Sequence, residues 1–225
     1  MCGRFVGYST LEQIQSHFNV GVLEPDRVQP SYNIAPQQEL AVITQEGLER
    51  ILSLMHWGLV PFWAKEPSIG SRMINARSET VAEKPSFRNA FRHRRCLIVN
   101  DGFFEWKGAK GNKQPVFLKP KGQDGPFGFA GLWDIWKPKE GGFAESYKSC
   151  TILTTEASKS VKPIHHRMPI MLKPSAYERW LDPMIKDPVK LHRILEDRYR
   201  DFENYPVSKA VNSPQKNDPS FIVAI

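Results

Sequence analysis

The chain of 225 residues is 40% hydrophobic and 11% aromatic, which marks a globular fold and excludes a disordered chain. No run approaches 18 uninterrupted apolar residues and no charged-then-apolar leader opens the chain, so neither a transmembrane helix nor a secretion signal is expected. A net charge of +7 points to a polyanion as partner, nucleic acid being the commonest, although a generic basic enzyme carries the same balance.

The three cysteines, Cys2, Cys96 and Cys150, are an odd count without C-x-x-C spacing. That argues against a disulfide framework and a zinc knuckle, and favours a reducing, cytoplasmic setting. The first stretch is Met1-Cys2-Gly3-Arg4-Phe5. Cysteine is small enough at position two for Met1 to be clipped off, leaving an amine and a thiol on adjacent carbons. Such a 1,2-aminothiol condenses with aldehydes: the amine forms a Schiff base and the sulfur closes a thiazolidine ring. Ordinary values of about 7.7–8.0 for the amine and about 8.5 for the thiol put both nucleophiles within reach near neutral pH. On residue two alone, a cysteine of no consequence is the default reading.

Ser9-Thr10-Leu11-Glu12 has the form of a capping box opening a short helix, with Leu11, Ile14 and Phe18 on one face and His17 an ordinary helix residue. Pro25 to Pro36 reads as loop, its end Ser31-Tyr32-Asn33-Ile34-Ala35-Pro36 holding too many turn formers for a regular element. Leu40–Thr44 and Ile51–Trp57 read as strands of a hairpin turning near Glu46-Gly47. Trp57, Phe62 and Trp63 then fall in a turn-prone segment. Such aromatics pack a core, or stack on unpaired bases. Asn75-Ala76-Arg77-Ser78-Glu79 precedes an expected helix. Ser78 can be its N-cap, or Asn75 a fixed hydrogen-bonding group and Arg77 a phosphate fork.

Phe87–Arg95 reads as a helix whose Arg88, Arg92, Arg94 and Arg95 are a solvated face or a long-range attractor of nucleic acid. Cys96–Val99 is an apolar strand, and Asp101–Trp106 continues the β pattern. Glu105 stands between two aromatics; a dry setting would suit it to proton transfer, but period two also allows it to face solvent. Gly108–Lys113 is a hairpin tip, Val116–Leu118 and Phe127–Leu132 are strands, and Glu140-Gly141-Gly142 is another tip. Cys150–Thr155 is a β-branched strand with Cys150 in the core. Ile164-His165-His166-Arg167-Met168-Pro169 is a dense polar knot without metal-ligand spacing. Helices near Ala176–Leu181 and Val189–Arg198 complete the chain, which shows no repeat or linker and reads as one domain.

Five stretches carry a resemblance: Cys2-Gly3-Arg4, Tyr32-Asn33-Ile34-Ala35-Pro36, Asn75-Ala76-Arg77-Ser78-Glu79, Gly102-Phe103-Phe104-Glu105-Trp106 and Ile164-His165-His166-Arg167-Met168-Pro169. With Trp57-Gly58-Leu59 and Pro61 between them, the chain resembles the SOS-response-associated peptidase family, now regarded as abasic-site-processing proteins, nearly end to end. The resemblance implies a single α+β domain over residues 1–225, with a curved, barrel-like mixed β core flanked by short helices. It also implies a positively charged groove for single-stranded DNA. No metal, no cofactor and a monomer are expected.

By the same resemblance, the mature Cys2 attacks the ring-opened aldehyde of an abasic site and forms a thiazolidine crosslink that shields the lesion. Asn75 orients the reacting groups, Glu105 shuttles protons in both directions, and His165 helps open the sugar and holds the aldehyde. Arg77 and Arg167 grip phosphates, with Arg4, Pro36, Trp57 and Trp63 as further DNA-binding residues. The family histidine precedes a variable slot before Arg-Met-Pro, which makes it His165; here the slot itself holds His166. Two rival readings remain: a cysteine hydrolase or self-cleaving peptidase with Cys2 as nucleophile and His165 as base, and a non-covalent single-strand-binding module.

Overall fold

The computed structural model describes residues 2–109, 111–138 and 146–225. Met1, Lys110 in the expected Gly108–Lys113 tip, and the expected Glu140-Gly141-Gly142 tip lie outside the described residues. In chain order the elements are β1 (Phe5–Gly7), α1 (Leu11–Phe18), β2 (Gly21–Val22), β3 (Ser31–Ile34), β4 (Glu39–Glu46), β5 (Glu49–Trp57) and β6 (Asn75–Arg77). There follow α2 (Arg88–His93), β7 (Arg95–Asn100), β8 (Gly102–Lys107), β9 (Gln114–Pro120), β10 (Phe127–Trp136) and β11 (Tyr147–Glu156). The last are β12 (Arg167–Pro169), β13 (Met171–Leu172), α3 (Pro174–Leu181), α4 (Pro188–Ile194) and β14 (Phe202–Pro206).

Two sheets organise the α+β fold. One runs β14-β9-β8-β1-β3; the other runs β12-β11-β10-β7-β4-β5-β2. The second curls until β11 meets β5 in parallel through Ser149–His56 and Cys150–Trp57, closing a ring of β5, β4, β7, β10 and β11. The result is a ring of strands, not a regular barrel. Alternation sorts its side chains. Leu40, Met55, Trp57, Cys96, Ile98, Phe129, Cys150 and Ile152 join an inner core with Phe5 and Phe103 of the five-stranded sheet. Ile43, Leu52, Leu97, Ala130 and Leu153 face outward and are covered by residues of the helices, among them Phe18, Phe91, Trp180 and Leu191. The five-stranded sheet has its outer face covered too, where Val6, Phe104 and Phe117 pack on Val207, Val211 and Phe221.

The hairpin at Gly47 forms as expected, its glycine at φ 62°. Three local expectations need correction. The capping box is Thr10 with Gln13, one residue later than Ser9 with Glu12, because Asp101 engages Ser9 through its backbone N–H and hydroxyl. Ser31–Ile34 is a strand and not loop, since β1 supplies the partner through Phe5–Ile34. No helix starts at Ser78: the Asn75–Arg77 segment is a strand lying parallel to β11, and Ser78 N–H donates to Thr154 O at 2.9 Å.

Arg95 departs from the expected solvated run. Buried on β7, it donates to the carbonyls of Phe91 and Arg92 at the end of α2, and of Trp180 and Asp182 at the end of α3. One guanidinium thus serves the orphan acceptors and the negative dipole ends of two helices. Burial lowers its pKa to about 10, so it stays charged at neutral pH. Arg95→Ala leaves these carbonyls buried and unserved, and is expected to cost about 3 kcal/mol or more in denaturant unfolding. A loss below about 1 kcal/mol would show that water replaces the guanidinium.

Candidate active site

Residue 2 is carried into the inner core by its neighbours. β1 is sandwiched between β3 and β8, and Phe104 N–H donates to Arg4 O at 2.9 Å. Arg4 secures the same segment from behind: its Nη1 donates to Asn33 Oδ1 and to Val211 O, both at 2.7 Å, and its guanidinium lies over the Trp106 ring. Asn33, itself buried, extends the tie through Nδ2 to Ser213 O at 2.8 Å and Lys216 O at 2.7 Å. Cys2 is fully buried in the same core cluster as Phe5, Trp57 and Ile152.

Asn75 meets it from the other sheet. Its register beside Ile152 on β11 and the bond from Trp57 Nε1 to Ile74 O at 2.8 Å fix the approach, and Asn75 Nδ2 donates to Cys2 O at 2.7 Å. Asn75 Oδ1 is buried with no hydrogen-bond partner among the described residues. An acceptor so placed can take a proton donor on the reacting groups. Glu105 is 4% exposed. It shares the inward face of β8 with Phe103, while Phe104 and Trp106 point to the C-terminal segment. Its charge also reaches Cys2: burial first, and Glu105 second, push the thiol well above its ordinary pKa.

The remaining site residues are strung along one edge of the ring. Asn75 and Arg77 on β6 lie beside Ile152 and Thr154 of β11, and Arg167 on β12 lies beside Glu156. At about 3.3 Å per residue, Ile152 to Glu156 spans about 13 Å. His165 Nδ1 lies 3.0 Å from both the backbone nitrogen and the carbonyl oxygen of Arg167, so it can accept from the first or donate to the second. The His166 ring stacks on His165 with centroids 4.4 Å apart, and the charge of His165, foremost, holds His166 below its ordinary pKa.

The expected DNA-binding residues divide. Trp57 has no exposed surface, its ring edge-on to Phe5 and its indole N–H spent on Ile74, so the expectation that it contacts DNA is corrected: it packs the core. Arg4 is half-buried and its contacts are internal struts. Arg167 donates to both oxygens of Glu79 and to Thr154, so a phosphate would have to share or displace Glu79. Arg77, by contrast, is exposed, and its side chain makes no hydrogen bond or ion pair among the described residues. Trp63 is 42% exposed and walls a hollow of about 650 Å³ with Lys65, Ile69 and Arg72. Pro36 is half-buried on the turn before β4. Sequence reasoning missed the structural duties of Asn33 and Glu79, although both lie inside motifs that carry the resemblance.

Fold and site define an α+β protein built on a closed ring of strands, with residue 2 drawn into its core beside an amide and a carboxyl side chain. The chain belongs to the SOS response associated peptidase (SRAP) family, whose model matches residues 1–214. It is 41% identical to the Abasic site processing protein YoqW of Bacillus subtilis (strain 168) over 99% of both chains. It is 33% identical to the Abasic site processing protein HMCES of Xenopus tropicalis, over 90% of this chain and 68% of that one. A solved protein from Bacteroides thetaiotaomicron shares the fold across the whole of both chains, with a TM-score of 0.84 at 24% identity.

Proposed function

We propose that this protein processes abasic sites in single-stranded DNA, capturing the ring-opened aldehyde on the amine and thiol of Cys2 once Met1 is gone. The observation that carries the reading is the Asn75–Cys2 contact: one amide grips the Cys2 carbonyl and leaves a buried acceptor beside the reacting end. The names of the relatives supply the substrate class. In the proposed sequence the Cys2 amine adds to the aldehyde carbon and the carbinolamine loses water to give an imine. The sulfur then bonds to the imine carbon while the thiol proton passes to nitrogen, closing the thiazolidine. Glu105 is the carboxyl that moves these protons, and His165 acts on the sugar through Nε2.

The raised thiol pKa favours this order over a cysteine-hydrolase reading. A hydrolase needs a thiolate, stabilised by a cationic setting, whereas burial and the Glu105 charge here disfavour one. An amine-first route needs the thiol only in the second step, with its proton removed as the carbon–sulfur bond forms. A denaturing gel with an aldehyde-bearing oligonucleotide tests the proposal. A heat-stable shifted band is expected; retained binding without one would leave a non-covalent module.

Arg77, Trp63 and Pro36 are the residues proposed to meet the strand. Arg77→Glu is expected to weaken binding to all single-stranded sequences alike, because phosphates carry no base information. The log–log salt slope should flatten by about 0.7, the share of a single phosphate on a single strand. A defect confined to particular sequences would mean that Arg77 reads bases.

A further inference from the structure

Glu79 lies in a stretch singled out by the sequence, and the chemistry above gives it no role. Its carboxylate accepts from Arg167 Nη1 at 2.7 Å and from Nη2 at 2.9 Å, a bidentate fork. Arg167 Nη2 also donates to Thr154 O at 2.8 Å, which ties the fork to β11. The backbone N–H of this same Arg167 donates to His165 Nδ1, and Arg167 O lies equally close to that nitrogen, at 3.0 Å. The ring therefore has two ways to satisfy Nδ1: accept from the N–H as neutral imidazole, or donate to the carbonyl. Small changes in the backbone torsions on either side of the Arg167 Cα choose between them.

We propose that Glu79 is a positioning residue for His165: by clamping Arg167 it fixes the backbone N–H that donates to Nδ1, and so presents Nε2–H to the substrate. It also neutralises the Arg167 guanidinium at the edge where a DNA strand would run. This rests on the reading of His165 as a residue of the abasic-site reaction. Two consequences of opposite sign follow from removing the carboxylate. His165 loses its single tautomer, so the reaction slows. Arg167 becomes available to phosphate and one anion leaves the edge, so DNA binds more tightly.

The experiment compares the full chain with Glu79→Gln and Glu79→Ala, the glutamine variant keeping the volume in case alanine disturbs the fold. Nitrogen-15 spectra of the imidazoles without DNA report the tautomer directly and do not depend on any reaction. Wild type should show His165 protonated at Nε2 alone, and both variants should show the two nitrogens averaged. Crosslink formation should slow by about tenfold, the low end of the 10–100-fold typical for loss of a group that orients a histidine at a metal site. Affinity for an intact single strand should rise, with the salt slope steeper by about 0.7 as Arg167 takes up one phosphate. An unchanged His165 signature in both variants overturns the proposal. If the tautomer shifts but wild type forms no adduct, the abasic-site reading fails and the positioning role stands.

Discussion

Cys2→Ala is expected to abolish the heat-stable adduct with abasic DNA while leaving affinity for an intact single strand within about twofold, since the surface elsewhere is untouched. Without sulfur the imine cannot close to a ring, and a bare imine hydrolyses under denaturing conditions. Cys2→Ser separates the two steps: the amine survives, so borohydride should trap a Schiff base that heat alone does not preserve. The thiol is fully buried, so the alanine variant also leaves a small void, and its folding should be checked by thermal melting. An adduct of undiminished yield on Cys2→Ala would place the nucleophile elsewhere. The same logic applies to the preceding residue. Acylation of the Cys2 nitrogen removes the amine, so protein that mass spectrometry shows to keep Met1 should carry no adduct.

Glu105→Gln should slow crosslink formation and slow release from a preformed crosslink together. Both directions pass through the same transition states, and general acid–base help is worth about 10²–10⁴ in rate. Equilibrium yield should change much less than either rate. The side chain faces the inner core from β8, across from the chain end that carries Cys2, and glutamine keeps its shape while giving up the titratable proton. A time course in each direction decides. Slowed formation with unchanged reversal would mean that Glu105 places the substrate without moving the proton.

Much of the frame was legible in the sequence, because β4 and β5 alternate around a glycine turn, β7 is apolar and β11 is rich in β-branched residues. What escaped depends on distant partners. Ser31–Ile34 becomes a strand only because β1 lies beside it, and Asn75–Arg77 only because β11 does. Period two could not orient Glu105, since both faces of the five-stranded sheet are buried, one in the inner core and one under the C-terminal segment. Trp57 and Trp63 share one aromatic segment, yet closure of the ring buries the first and leaves the second outside. Four arginines looked alike between Arg88 and Arg95; only the two helix ends converging on Arg95 set it apart. The site residues were found as a pattern of motifs. Their geometry was not in that pattern: Arg4 and Arg167, read as grips on DNA, are held by Asn33 and Glu79.

The short parallel seam between β5 and β11 has a consequence for the order of folding. Two of its residues, Trp57 and Cys150, are about ninety positions apart, and the β5–β11 ladder itself holds two residue pairs among the described residues. Loop-closure entropy must be met before such a distant pairing stabilises anything, so the seam is expected to form late in folding. The β4–β5 hairpin and the β10–β11 pair, whose partners are near in sequence, can form without it. Asn75 reaches Cys2 from a strand that hangs on β11 just beyond the seam. A chain with its hairpins made and its ring still open would therefore lack the contact between Asn75 and Cys2. On the proposed chemistry, the last structure to form would be the one that switches the reaction on, so partly folded molecules are expected to be poor at capturing stray aldehydes.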